Sequence, residues 1–265
     1  MMRRSFLFAL CLGLSTLLAA TTGYANGVFE SVSGNVTAAM GTMTATTAVK
    51  NQRVMPGTTV TTGPGARTVI RFDDGHAVVL NENTEFRVNQ YAFDKDKPQN
   101  DNVVLQLVKG AMRSVSGLIG SRSRNAFALF APQATIGIRG TDFMIALVNP
   151  AYLSVLQGTI AASNTAGTTT FAAGATATVA SSAALAASIP AAALPASVAS
   201  TFSSLGSVVV AAGAAGAGGA VSAGVGGITS GMIAAGVALI AVTAAAASSS
   251  ESGVVSTTAT TGTQP

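Results

Sequence analysis

The sequence runs to 265 residues, 49% hydrophobic and only 9% charged, with 14 Lys or Arg against 10 Asp or Glu, one histidine and one cysteine. A single histidine leaves no credible Ser-His-Asp triad, and no phosphate-binding glycine loop is present. The cations are scattered among acids rather than gathered into a stripe, which argues against a nucleic-acid surface.

Residues 1–25 read as a secretory signal peptide. Arg3 and Arg4 supply the positive start, Phe6 through Leu18 form an uncharged apolar core, and Gly23 and Ala25 precede a cut before Asn26. That core is too short to cross a bilayer of about 30 Å. Arg3-Arg4-Ser5-Phe6-Leu7 also resembles a twin-arginine signal, ranked second because nothing downstream suggests a cofactor loaded before export. Cys11 lies inside the leader behind Leu10, where a lipoprotein signal wants a small residue, so neither lipid attachment nor a disulfide is expected. Loss of Arg3 and Arg4 with the leader lowers the formal charge from +4 to +2.

From residue 27 the hydrophobic period is two. Thr68 through Phe72 is β-branched and aromatic, Asp73-Asp74-Gly75-His76 turns the chain, and Ala77 through Leu80 returns. Gly63-Pro64-Gly65 marks another turn. Three segments share a pattern of apolar strand, glycine, and a new apolar position two residues on, centred on Gly34, Gly110 and Gly158. Glycine there lets the chain bend sharply, so that successive strands stack or change sheets. Their spacing is too irregular for a tandem repeat. Asp94 through Asp101 reads as a solvated, charged loop that faces partners.

Charge then disappears. Residues 26–142 carry 12 Lys or Arg and 9 Asp or Glu, whereas 143–265 carry Glu251 alone. The folded domain is expected over 27–179, with 180–265 an Ala/Gly/Ser/Thr-rich, partly helical tail. Residues 228–247 contain no ionisable group, and at about 1.5 Å rise per residue they are long enough to span a bilayer. Gly227 and Gly231 add a GxxxG step. A membrane-associated helix or hairpin is favoured over a flexible tail, although Ala and Gly drive insertion poorly.

Several runs together carry a family likeness. They are Gly34-Asn-Val36, Met55 through Gly63, Val69-Ile-Arg-Phe-Asp-Asp-Gly75, Leu105 through Gly110, Ala131 through Phe143 and Val155-Leu-Gln-Gly158. In this order, over about residues 28–179, the chain resembles the FecR domain, most specifically at Gly137-Ile-Arg139-Gly140-Thr141-Asp142-Phe143. The resemblance implies an all-β periplasmic module, a β-sandwich or a short β-solenoid-like domain. Its best-understood members belong to a membrane-spanning regulator that hears an outer-membrane transporter and controls an iron-responsive sigma factor. Here a signal peptide stands where the sigma-binding segment and spanning helix would be, so that half of the function is not carried over.

Arg139 admits two readings. It is either a ligand-binding cation for a carboxylate, sugar acid or partner strand, or a buried guanidinium that satisfies carbonyls and an acid at a strand junction. Architecture is favoured, with Asp142 as the obvious acid, even though strand alternation puts positions 139 and 142 on opposite faces. Gly137 and Gly140 suggest a close approach to something bulky. His76 beside Asp73 and Asp74 is read as a turn residue, since tight metal sites need about three or four protein ligands. No catalytic residue, metal or cofactor is expected. The expected function is a non-catalytic envelope interaction or sensing module with a protein or glycan partner. The alternative is a structural surface or matrix protein whose tail self-assembles or anchors in membrane.

Overall fold

The computed structural model describes residues 27–123 and 125–210. The signal peptide and the 228–247 helix lie outside the described residues. Among the described residues no helix is long and apolar enough to cross a membrane.

The elements in chain order are β1 (Gly27–Ser33), β2 (Val36–Met40), β3 (Thr46–Thr47), β4 (Arg53–Val54), β5 (Thr58–Thr62), β6 (Arg67–Phe72), β7 (Ala77–Leu80), β8 (Glu85–Ala92) and β9 (Asn102–Val115). They continue with α1 (Leu118–Arg122), β10 (Phe127–Phe130), β11 (Thr135–Leu147), β12 (Ala151–Asn164), β13 (Gly167–Ala172), β14 (Thr176–Val179), β15 (Ala187–Ile189) and α2 (Ala196–Gly206).

Strands β9, β11 and β12 are 14, 13 and 14 residues long, and each changes partners part-way. The first part of β9 pairs with β8 and β10, whereas its last residues pair with β7 and β11. Strand β11 pairs with β10 at its start and with β9 at its end, and β12 passes from β14 to β13. The pairings therefore divide into two paths joined through these strands. Sheet I runs β3-β2-β5-β8-β9-β10-β11-β12-β13, and sheet II runs β4-β1-β6-β7-β9-β11-β12-β14-β15.

The crossings fall at glycines of positive φ: Gly110 (88°), Gly140 (59°) and Gly158 (75°), while Gly34 (75°) joins β1 in sheet II to β2 in sheet I. Three of these are the glycines of the sequence echo. Inward side chains of sheet I, such as Val60, Phe86, Leu105 and Ile138, form one core with Phe29, Ile70, Phe143 and Leu153 of sheet II. Of the two architectures the sequence suggests, the sandwich is the one formed.

Sheet II is apolar on both faces. All four residues of β7 are buried, and so are Phe143 through Ala146 in β11. A strand covered on both sides needs no alternation. The outer cover is α2, whose Val198, Phe202 and Leu205 pack against Val69, Val79, Ala111, Met144 and Ala146. Their spacing of four and then three places all three anchors on one helix face. The ordered fold thus continues past residue 179, where the sequence reading ends it, because sheet II has an apolar outer face to bury. β15 also pairs with β14 beyond that point.

Candidate functional site

The Gly137–Phe143 run is where β11 leaves one sheet for the other. Ile138 points into the core and Arg139 away from it; Gly140 takes the left-handed turn, and Phe143 re-enters the core fully buried. The pairing with β12 shifts register between Arg139 and Asp142, the mark of a bulge. Buried Thr141 fixes the corner, donating its N–H to Ser116 Oγ at 2.9 Å and accepting the Ser116 N–H at 2.8 Å.

Two expectations are corrected at this corner. Arg139 is exposed and forms no ion pair among the described residues. Strand alternation aims it at solvent outside sheet I, while the bulge sends Asp142 to the outside of sheet II. The approach to a bulky neighbour is also absent, since an added Cβ at Gly137 or Gly140 meets nothing within 4 Å. Gly140 is set by its φ. The crowded position is Gly158, where a Cβ would stand 2.2 Å from the Gly140 carbonyl oxygen.

Asp142 has a different cation. Arg113 Nε donates to Asp142 Oδ1 at 2.8 Å and Nη2 donates to Oδ2 at 2.6 Å. Its Nη1 reaches the carbonyls of Leu205, Gly206 and Val208 at 3.4, 3.3 and 3.1 Å. One guanidinium therefore ties the corner acid to the C-terminal end of α2, where the last carbonyls lack helical partners and the dipole favours a cation. Hydrogen bonding to Asp142 raises the Arg113 pKa further, against the opposing effect of burial. Arg67 adds a second tie through Nη2 to Ser204 Oγ.

His76 ends the turn between β6 and β7, as expected, and its side chain is a buried member of a polar knot. Its Nε2 lies 2.9 Å from Ser114 Oγ, and desolvation lowers its pKa despite Asp74 nearby. The buried Asp74 carboxylate accepts Tyr91 O–H at 2.8 Å and the N–H groups of His76 and Ile119 at 3.0 and 3.2 Å. Burial, then Asp74, pushes the Tyr91 phenol well above its ordinary range. Among the described residues no three His, Cys, Asp or Glu gather to hold a metal. The Asp94–Asp101 loop is exposed over Lys95–Asn100, as expected of a solvated loop, and only its last residue, Asp101, is buried. Arg122 donates to both oxygens of buried Asp101, at 2.8 and 2.9 Å, and lies 5.0 Å from the Phe93 ring centroid.

What remains open is the outer face of sheet I. One register row crosses it from Arg87 through Gln106, Phe130, Thr135 and Ser163 to Thr168. Phe130 is 42% exposed. The parallel row holds Val104, Ala128, Gly137, Ala161 and Thr170. Arg139 follows two residues beyond Gly137, opposite Thr159. Arg87 is paired with Glu85 at 2.8 Å. Phe130 had a sequence signal, since Phe127-Ala-Leu-Phe130 puts 127 and 129 inward and 130 outward. Arg113 had none, because its acid lies 29 residues away.

Residues 58–161 match the family model described as FecR protein. Over these residues the chain is similar to the FecR domain. The match spans β5 to the middle of β12 and includes the corners at Gly110, Gly140 and Gly158. The fold is similar to two crystal structures described as "a putative anti-sigma factor from Parabacteroides distasonis", at 15% and 14% identity and TM-scores of 0.38 and 0.36. Each alignment covers 45% of this chain and 53% of the other, so the chain spans about half the length of these relatives. No curated protein matches.

Proposed function

We propose that this chain is an exported, non-catalytic FecR-type module that senses or relays a signal at the cell envelope through surface binding. The FecR match across the corner-forming strands carries the reading. The two faces of the sandwich support it: α2 covers sheet II, and the outer face of sheet I leaves Phe130 exposed. The titratable groups that could have served catalysis are committed to structure, with Asp142 on Arg113 and Asp74 on Tyr91, His76 and Ile119.

A deletion strain tests the proposal. Transcript profiling is expected to find a defined set of envelope genes altered by the deletion and restored by the full chain. A version lacking residues 1–25 is expected to fail. An unchanged transcript profile, or rescue by the leaderless chain, overturns the reading.

A further inference from the structure

We infer that the outer face of sheet I binds an acidic polysaccharide along β10 and β11, with Phe130 and Arg139 as its two anchors. The inference deepens the surface-binding reading above and rests on it. Phe130 is a large apolar side chain left 42% exposed in the middle of a sheet. Thr135 stands opposite Phe130, and Arg139 lies four residues further along β11 on the same face. At about 3.3 Å per residue the two anchors are separated by roughly 13 Å. That span suits a short run of sugar units.

The ground between the anchors is lined by small residues. Ala128 and Gly137 occupy it, and an added Cβ at Gly137 meets open space. Hydroxyls border the lane: Thr135 and Thr159 lie on β11 and β12, and Ser163 Oγ lies 2.8 Å from Thr168 Oγ1. A pyranose offers an apolar C–H face to an aromatic ring and hydroxyls that exchange hydrogen bonds with such a border. A guanidinium offers a planar fork suited to a carboxylate, and Arg139 has no acid partner among the described residues.

Charge selects among occupants. A nucleic acid is held by neutralising many phosphates at once, but Arg87 on this face is already paired with Glu85. A protein partner favours an apolar, desolvated centre, whereas here one aromatic stands between Gln106 and Thr135, with Val104 and otherwise Ala, Gly, Ser and Thr around it. An aromatic platform, a hydroxyl field and one free guanidinium match a polymer of neutral sugar faces carrying spaced carboxylates.

Affinity electrophoresis or calorimetry of the full chain against polygalacturonate tests this, with the methyl-esterified polymer as the uncharged arm. Binding to the acid and not the ester is expected, and it should weaken with added salt. Phe130→Ala and Arg139→Ala should each weaken binding by roughly tenfold or more, given the usual strength of charge-assisted and aromatic contacts. Gly137→Leu should block the lane while leaving the melting temperature unchanged. No binding, equal binding of acid and ester, or binding indifferent to Arg139→Ala and Gly137→Leu in folded variants overturns the inference. The transcript test does not depend on these outcomes, so the two readings fail separately.

Discussion

Two arginines that look alike in sequence have opposite fates, because the chain bends between them and their neighbours. Arg139 precedes the Gly140 corner and points to solvent, whereas Arg113 sits opposite Met144 and takes the acid that the motif supplies. Arg139→Ala is therefore expected to change folding stability by no more than about 0.5 kcal/mol, as at other surface positions. Arg113→Ala should cost about 1–3 kcal/mol, since it strands a half-buried carboxylate and uncaps α2, although solvent screens part of the pair. Urea denaturation of both variants checks the contrast; equal losses would overturn it. His76 adds a pH signature. Its folded pKa is lowered by burial, so the unfolded chain takes up a proton near pH 6.5 before the folded chain does. The stability of the neutral buried form is present above that pH and declines as the pH falls through it. The melting temperature should drop between about pH 6.5 and 5, and His76→Gln should flatten that step. A wild-type melt indifferent to pH over this window would contradict it.

At the scale of elements, the sheet corners were the legible part of the fold. The echo around Gly34, Gly110 and Gly158 marks three of the four crossings, since a strand that must switch sheets tolerates few other residues at the bend. The fourth, Gly140, is legible through its motif, but the sequence points there to crowding, whereas the structure shows a left-handed turn in open space. Sequence cannot separate a glycine chosen for φ from one chosen for space, because both show only a missing side chain. The structure separates them and predicts different costs. Gly140→Ala adopts a left-handed conformation in open surroundings and should cost about 1–2 kcal/mol. Gly140→Asn should recover part of that, since asparagine tolerates the region better. Gly158→Ala meets the Gly140 carbonyl oxygen at 2.2 Å in addition to its positive φ, so it should be far more damaging. Denaturation midpoints of the three variants decide it, and a Gly158→Ala protein as stable as Gly140→Ala would overturn the nested-corner account.

For the whole molecule, a boundary at residue 179 follows from composition, and the described fold runs beyond it through β15 and α2. Ala, Ser and Thr around α2 look like low-complexity sequence, yet Val198, Phe202 and Leu205 fall on one helical face just behind Pro195. The demand for that helix was written elsewhere, in strands whose outward residues are as apolar as their inward ones: Val69, Val79, Met144 and Ala146. A sheet with two apolar faces requires two covers, and the inner layer supplies only one. Removing α2 should uncover this face and the Arg113–Asp142 pair together. A fragment of residues 27–210 should therefore unfold cooperatively, whereas one of 27–179 should lose several kcal/mol, at about 1.5–3 kcal/mol for each large apolar side chain returned to water. The shorter fragment should also bind a hydrophobic dye, as an exposed apolar sheet face does. Adding Phe202→Ala to 27–210 should move its melt part of the way toward that of 27–179. Indistinguishable melts and dye binding for the two fragments would mean that α2 merely rests on the sheet and that the fold closes without it.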